Sequence, residues 1–248
     1  MTRCRRPARP SLRPVVAAFV AGALALAGMV SAPGGALAAE PSLTFSGRTW
    51  TIKTSTGLVG PGPNLFDQSN AFVDGSGYLH LRIAKLNRRW TCGEVVLQQS
   101  LGYGTYEWVL GSDVSNLDPS AVLGIFTWNN NDASYAHREI DFEASRWGNA
   151  RDKTNAQWVV QPWDISGNLQ RFTIGSTVPT VVRFTWTSTR VDFATLVGGN
   201  VVNSWTYTGA SLPPAGGENA RMNLWLYQGR APKAPVEIVI RSFTFTAA

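Results

Sequence analysis

In Val236-Glu-Ile238-Val-Ile240-Arg-Ser-Phe243-Thr-Phe245, large apolar residues fall at every second position, first at Val236, Ile238 and Ile240 and then at Phe243 and Phe245. Successive side chains of a strand point to opposite faces, so this spacing reads as a strand with one face buried. The same period recurs at Leu79, Leu81 and Ile83 and at Val182, Phe184 and Trp186. Turn clusters separate such runs: Gly60-Pro-Gly-Pro63, Asp74-Gly-Ser-Gly77, Gly198-Gly-Asn200 and Pro213-Pro-Ala-Gly-Gly217. No window keeps a helical period for more than about two turns. Many short strands at spacings of roughly 8–12 residues predict a sandwich or barrel. No internal repeat, charge block or linker divides the pattern, so the expectation is all-β, a single antiparallel β-sandwich.

The first 38 residues stand apart. Residues 3–13 carry five arginines (Arg3, Arg5, Arg6, Arg9 and Arg13) and no acid, an apolar run follows from Val15 to Val30, and Ser31-Ala-Pro-Gly-Gly-Ala36-Leu37-Ala38 closes it. A basic head, an apolar middle and a small-x-small exit make a secretory signal peptide cut near Ala38. A membrane anchor is the competing reading, but the run is short against the about 20 residues of a span. Residues 1–38 are therefore expected to be removed, and residues 39–248 to act as a secreted, extracellular domain without a membrane partner. Of the chain's 22 Lys and Arg, five leave with the signal, so 17 remain against 16 Asp and Glu. That balance removes the basic-patch case for a nucleic-acid partner. About 210 residues suffice for a sizeable core, and a monomer is expected.

Cys4 lies in the signal, which leaves Cys92 alone and excludes an internal disulfide. Cys92 sits in the strand-like Trp90-Thr-Cys92-Gly-Glu-Val-Val-Leu97 and is expected to be a buried or inert thiol. His80 and His137 are the only histidines, which argues against a His-rich zinc site and a serine triad. All ten tryptophans follow the signal, and several flank polar residues: Trp128-Asn-Asn-Asn-Asp132, Arg146-Trp147-Gly-Asn149, Gln157-Trp158, Trp163-Asp164 and Asn223-Leu-Trp225. An indole face stacks on sugar C–H surfaces while neighbouring amides and carboxylates bind hydroxyls. Some of these tryptophans are thus expected to be sugar platforms, the others core residues.

His137-Arg138-Glu139-Ile140-Asp141-Phe142-Glu143 alternates apolar residues with three acids and reads as a strand. Glu139, Asp141 and Glu143 then share one face while Ile140 and Phe142 point to the core. Like charges so placed repel, and a fold keeps them only with compensation or use. One use is cleavage of a glycosidic bond, by one carboxylate that attacks or stabilises the anomeric carbon and one carboxylic acid that protonates the leaving oxygen. Cα atoms four apart on a flat strand are about 13 Å apart. A concave strand with both Glu side chains leaning inward can close this to the ~5–5.5 Å of a retaining pair. Asp141 lies near enough to hydrogen-bond the nucleophile, and the crowding raises the pKa of at least one carboxyl. A calcium site and a solvated acidic face are the alternatives, although alternating core residues make a poor calcium loop.

The motif resembles the signature of glycoside hydrolase family 16, the concanavalin-like jelly rolls of lichenase, laminarinase or xyloglucan endotransglycosylase type that cut β-glucans, in the form without a bulge seen in lichenases and xyloglucan endotransglycosylases. Four further segments are similar to strands of that family and keep their order: Gly102-Tyr-Gly-Thr-Tyr106-Glu107, Val122-Leu-Gly-Ile-Phe126-Thr-Trp128, Arg183-Phe-Thr-Trp186 and Met222-Asn223-Leu-Trp225. The resemblance implies a retaining double displacement with Glu139 as nucleophile, Glu143 as general acid and base, and Asp141 as helper. It implies that Glu107, Asn223 and Trp225 line the donor side of a cleft, that Gln157 faces it from the next strand, and that Trp128 is an aromatic cleft residue. Relatives commonly hold a structural calcium on the convex face; no ligand set for it is seen here, and no cofactor or catalytic metal is expected.

The chain departs from lichenases at His137-Arg138 before the motif, at Ala144-Ser145 after it, and at Val159 and Gln161 on the next strand. The three acids are intact, so the departures bear on the glycan and not on the chemistry. Arg138, Arg146 and Arg151 would be solvated or ion-paired, or would favour an anionic polysaccharide. The expected function is a secreted endo-acting hydrolase of a β-glucan-type polysaccharide. A jelly-roll carbohydrate-binding protein and a transglycosylase are the alternatives, and paired glutamates on one strand argue against a plain lectin.

Overall fold

A computed structural model describes residues 40–248; the expected signal peptide, residues 1–38, lies outside the described residues. Strands run in chain order as β1 (Ser42–Phe45), β2 (Arg48–Ile52), β3 (Ala71–Val73), β4 (Leu79–Leu86), β5 (Arg89–Thr91) and β6 (Gly93–Ser100). Next come β7 (Gly104–Leu110), β8 (Ala121–Trp128), β9 (Ile140–Ala144), β10 (Ala156–Val160) and β11 (Leu169–Phe172). The last are β12 (Thr180–Trp186), β13 (Val191–Val197), β14 (Asn200–Tyr207), β15 (Asn219–Leu226) and β16 (Val236–Ala247). They form two antiparallel sheets. One, here the cleft sheet, has the order β1-β2-β6-β15-β8-β9-β10-β11. The back sheet has the order β14-β13-β12-β7-β16-β4-β3, with β5 pairing β4.

Alternation builds the core between them. Leu79, Leu81 and Ile83 of β4 are fully buried, as are Phe184 and Trp186 of β12 and Ile140, Phe142 and Ala144 of β9. In β16 the pairing slips between Ile240 and Ser242, a bulge that lets Ile240 and Phe243 both face inward although they stand three positions apart. Trp50, Trp108, Trp158 and Trp186 are buried outright, so Trp158 is a core residue despite its polar neighbour. Each such side chain contributes about 1.5–3 kcal/mol or more of burial. Cys92 is buried, donates its thiol to Asn64 Oδ1 at 3.4 Å, and is pushed up to about 12 by that burial, in accord with an inert thiol.

Candidate active site

The segment before β9 is not extended. Tyr135, Ala136, His137 and Arg138 all take positive φ (53°, 49°, 59° and 58°), so the strand begins at Ile140 and not at His137 as the alternation implied. Left-handed backbone costs roughly 1–2 kcal/mol per non-glycine residue, and neighbours must hold it. Thr127 Oγ1 donates to Arg138 O at 2.7 Å and accepts from Ile140 N at 3.2 Å. Asn129 N donates to His137 O at 2.7 Å, and the Trp128 and His137 rings stack with centroids 3.9 Å apart. The buried Arg138 pairs with Asp132 and donates Nε to Pro214 O at 3.1 Å. The turn delivers Glu139 to the head of β9 with extended backbone.

One row of residues then crosses the cleft sheet in register: Glu94 (β6), Asn223 (β15), Gly124 (β8), Glu143 (β9), Gln157 (β10) and Arg171 (β11). Gly124 leaves the row open at its centre, since a Cβ there would stand 2.5 Å from Asn223 Oδ1. Gln157 Nε2 donates to Glu143 Oε2 at 2.7 Å. Its carbonyl oxygen accepts from Trp147 Nε1 at 3.1 Å and Arg171 Nη1 at 3.3 Å, which fixes the amide with its NH2 toward the acid. Asp141, paired in register with Phe126 and Val159, is buried and accepts from Gln161 Nε2 at 3.0 Å.

Burial dominates the electrostatics of the three acids. It holds Asp141 well above the usual carboxylate range, helped by the charges of Glu139 and then Glu143. Asp141 therefore keeps its proton, and its bond to Glu139 favours the ionised form of Glu139. Glu139 is itself raised to about 8 by burial and by Glu143, against the lowering effect of Asp141 and of the Arg221 guanidinium. Burial pushes Glu143 up to about 7 against the lowering bond from Gln157 and the charge of Arg171. The three carboxyls thus crowd one buried site in which the proton affinity of each is raised, that of Glu139 no less than that of Glu143.

Two lobes meet at Glu139 and Glu143. The first, about 340 Å³, is lined by Lys53, Glu94, Trp128, Arg221 and Asn223; the second, about 490 Å³, by Trp147, Gln157, Trp163, Arg171 and Tyr227. Trp225 borders both. Glu94 accepts from Lys53 Nζ at 2.9 Å and from Asn223 Nδ2 at 3.3 Å and lies 3.5 Å from Arg221 Nη1 as an ion pair, so both cations of the first lobe share one buried carboxylate. The cleft therefore combines indole faces with amide and carboxylate groups.

Of the residues expected here, Glu139, Asp141, Glu143, Trp128, Gln157, Asn223 and Trp225 come together. Glu107 does not. In β7 Tyr106, Trp108 and Leu110 face the core, which turns Glu107 to the outer face of the back sheet, 3.7 Å from Arg183. The acid that stands beside Asn223 is Glu94, whose signal in the sequence was a charge inside the apolar run from Cys92 to Leu97. Gln161 and Arg171 were also missed as site residues, because their roles depend on partners brought alongside by strand pairing. Arg138 is spent on Asp132, and Arg146 Nε donates to Asp152 O at 3.3 Å. Among the described residues no group of three or more His, Cys, Asp or Glu side chains forms a metal-ligand set.

No protein-family model and no curated protein matches the chain by sequence. Solved structures do. The β-glucanase of Bacillus licheniformis is similar at 18% identity and a TM-score of 0.63, covering 80% of this chain and 92% of its own. An immunostimulatory antigen and pseudo β-1,3-glucanase of Mycobacterium tuberculosis is similar at 20% identity, TM-score 0.59, covering 80% and 91%. A glycoside hydrolase family 16 endo-glucanase from Bacteroides ovatus is similar at 12% identity, TM-score 0.57, covering 79% and 94%. The resemblance to glycoside hydrolase family 16 carried by the motifs therefore extends to the antiparallel sandwich itself.

Proposed function

We propose that the protein is a secreted, retaining glycoside hydrolase that cleaves internal bonds of a β-glucan-type polysaccharide. The observation that carries this reading is the Glu139–Asp141–Glu143 ladder where the two lobes meet, three carboxyls in one buried site that raises the proton affinity of each. In the first step the ionised Glu139 attacks the anomeric carbon and an ester bond forms as the glycosidic C–O bond breaks. Glu143 gives its proton to the departing oxygen. In the second step Glu143, now a carboxylate, takes a proton from water; the water oxygen attacks the anomeric carbon and the ester to Glu139 breaks. Lobes on both sides of the acids suit binding within a chain. Arg138 is paired with Asp132 and so has little to offer an anionic sugar.

The test is reducing-end release by the secreted protein from mixed-linkage glucan, laminarin, xyloglucan, agarose and carrageenan, with Glu139→Gln as the blank. Release above the blank from a glucan is expected. A second reading, glycan binding without hydrolysis, is favoured by one observation: a protein of the same fold is described as a pseudo β-1,3-glucanase. Retained binding with no release from any glycan would establish that reading instead, and transfer to a labelled acceptor glycan would identify a transglycosylase.

A further inference from the structure

The first lobe of the cleft holds more positive charge than its ion pairs account for. Lys53, which follows β2, and Arg221 of β15 both face one carboxylate, Glu94 of β6. Arg221 is 6% exposed and turns a single nitrogen, Nη1, toward Glu94 at 3.5 Å. Its Nε and Nη2 are buried and have no partner among the described residues. A guanidinium keeps its charge even when buried, and a buried cation with two idle N–H groups is costly unless an anion answers it.

Strand pairing points to that anion. Arg221 stands in register with Phe126 of β8, and Phe126 with Asp141 of β9, so one strand separates the guanidinium from the acid ladder. Arg221 and all three acids line the first lobe. Asp141 accepts from Gln161, and Glu143 accepts from Gln157 and feels the charge of Arg171, which faces it from the second lobe. Lys53 is tied to Glu94 and to Gly60 O. Glu139 is left as the acid without a cation beside it in an ion pair. Arg221 acts on it by charge, and Glu139 in turn steadies the guanidinium.

Resting on the reading of Glu139 as nucleophile, we propose that Arg221 is a positioning residue that keeps Glu139 a carboxylate before attack, while Glu94 holds the guanidinium and limits the charge that reaches the nucleophile. Glu139 must be ionised to form an ester, yet burial and Glu143 push it up to about 8, where it would keep its proton at neutral pH. The two idle N–H groups of Arg221 oppose that with a charge that no change of pH in the working range removes. Sharing the cation with Glu94 keeps the attraction partial, since a full ion pair would hold Glu139 back from the anomeric carbon.

The experiment follows the Glu139 carboxyl by carbon-13 NMR as pH is varied, in protein labelled at the glutamate carboxyls, with Glu139→Gln identifying the signal. Wild type is compared with Arg221→Met, Arg221→Lys and Glu94→Gln. Arg221→Met removes a charge that favours the ionised form, so the Glu139 midpoint should rise by roughly one pH unit or more. At pH 7 kcat should fall about tenfold with KM little changed. Arg221→Lys keeps the charge and should restore most of both. Glu94→Gln removes a charge of the opposite sign and should move the midpoint down, a reversal that a merely structural role would not produce. An unmoved midpoint in Arg221→Met would overturn the proposal and leave the cleft reading intact. If that variant does not fold, a midpoint that fails to drop in Glu94→Gln overturns it in the same way. Midpoints that move as expected in a protein that cleaves no glycan would overturn the cleft reading and the role of Arg221 with it.

Discussion

At Glu143 two influences of opposite sign act on one carboxyl. Burial raises its proton affinity to about 7, while the Gln157 amide and the Arg171 charge lower it. Gln157 can only donate there, because Trp147 and Arg171 occupy its carbonyl oxygen. Gln157→Leu removes the lowering bond, so Glu143 should keep its proton to higher pH and the basic limb of the kcat/KM profile should move upward. A pH–rate profile checks this, and a limb that stays in place would remove Glu143 from the role of acid. The three acids were legible in the sequence because spacing by two is a property of neighbours along the chain. Of the supports, Gln157 was reached through the motif likeness but Arg171 was not, since the two stand 14 residues apart and meet only through the pairing of β10 with β11. Glu94 was legible and overlooked: motif likeness pointed to Glu107, whereas the alternation of β7 turns that residue outward.

Among the elements, β8 and the turn after it decide how β9 presents its acids. Gly124 sits between Glu143 and Asn223 in the transverse row, and a methyl there would stand 2.5 Å from Asn223 Oδ1. Gly124→Ala should therefore push Asn223 off Glu94, destabilise the fold by about 1–3 kcal/mol and raise KM more than it lowers kcat. Chemical denaturation and steady-state kinetics on the same preparation check both effects; a stable variant with unchanged KM would mean that the row is not part of the binding surface. Strand positions followed from their period, as β4, β12 and β16 show. The left-handed turn over 135–138 did not, because four non-glycine residues carry no local preference for that backbone and hold it only through Thr127, Asn129 and Asp132.

For the molecule as a whole, two packed sheets supply a rigid floor from which one strand displays three carboxyls, and loops from the adjoining strands build the walls. The signal-peptide reading predicts that protein recovered from culture medium starts at Ala39; N-terminal sequencing checks it, and a chain beginning at Met1 and held in the membrane fraction would refute it. The central claim, a covalent glycosyl intermediate on Glu139, is tested most directly by mass spectrometry after incubation with a 2-fluoro glycoside built on the glucan that the protein cleaves. The account predicts a single added glycosyl group on the peptide that contains Glu139, and none in Glu139→Gln. An adduct on Glu143, or steady turnover of the glucan with no adduct at all, would contradict it.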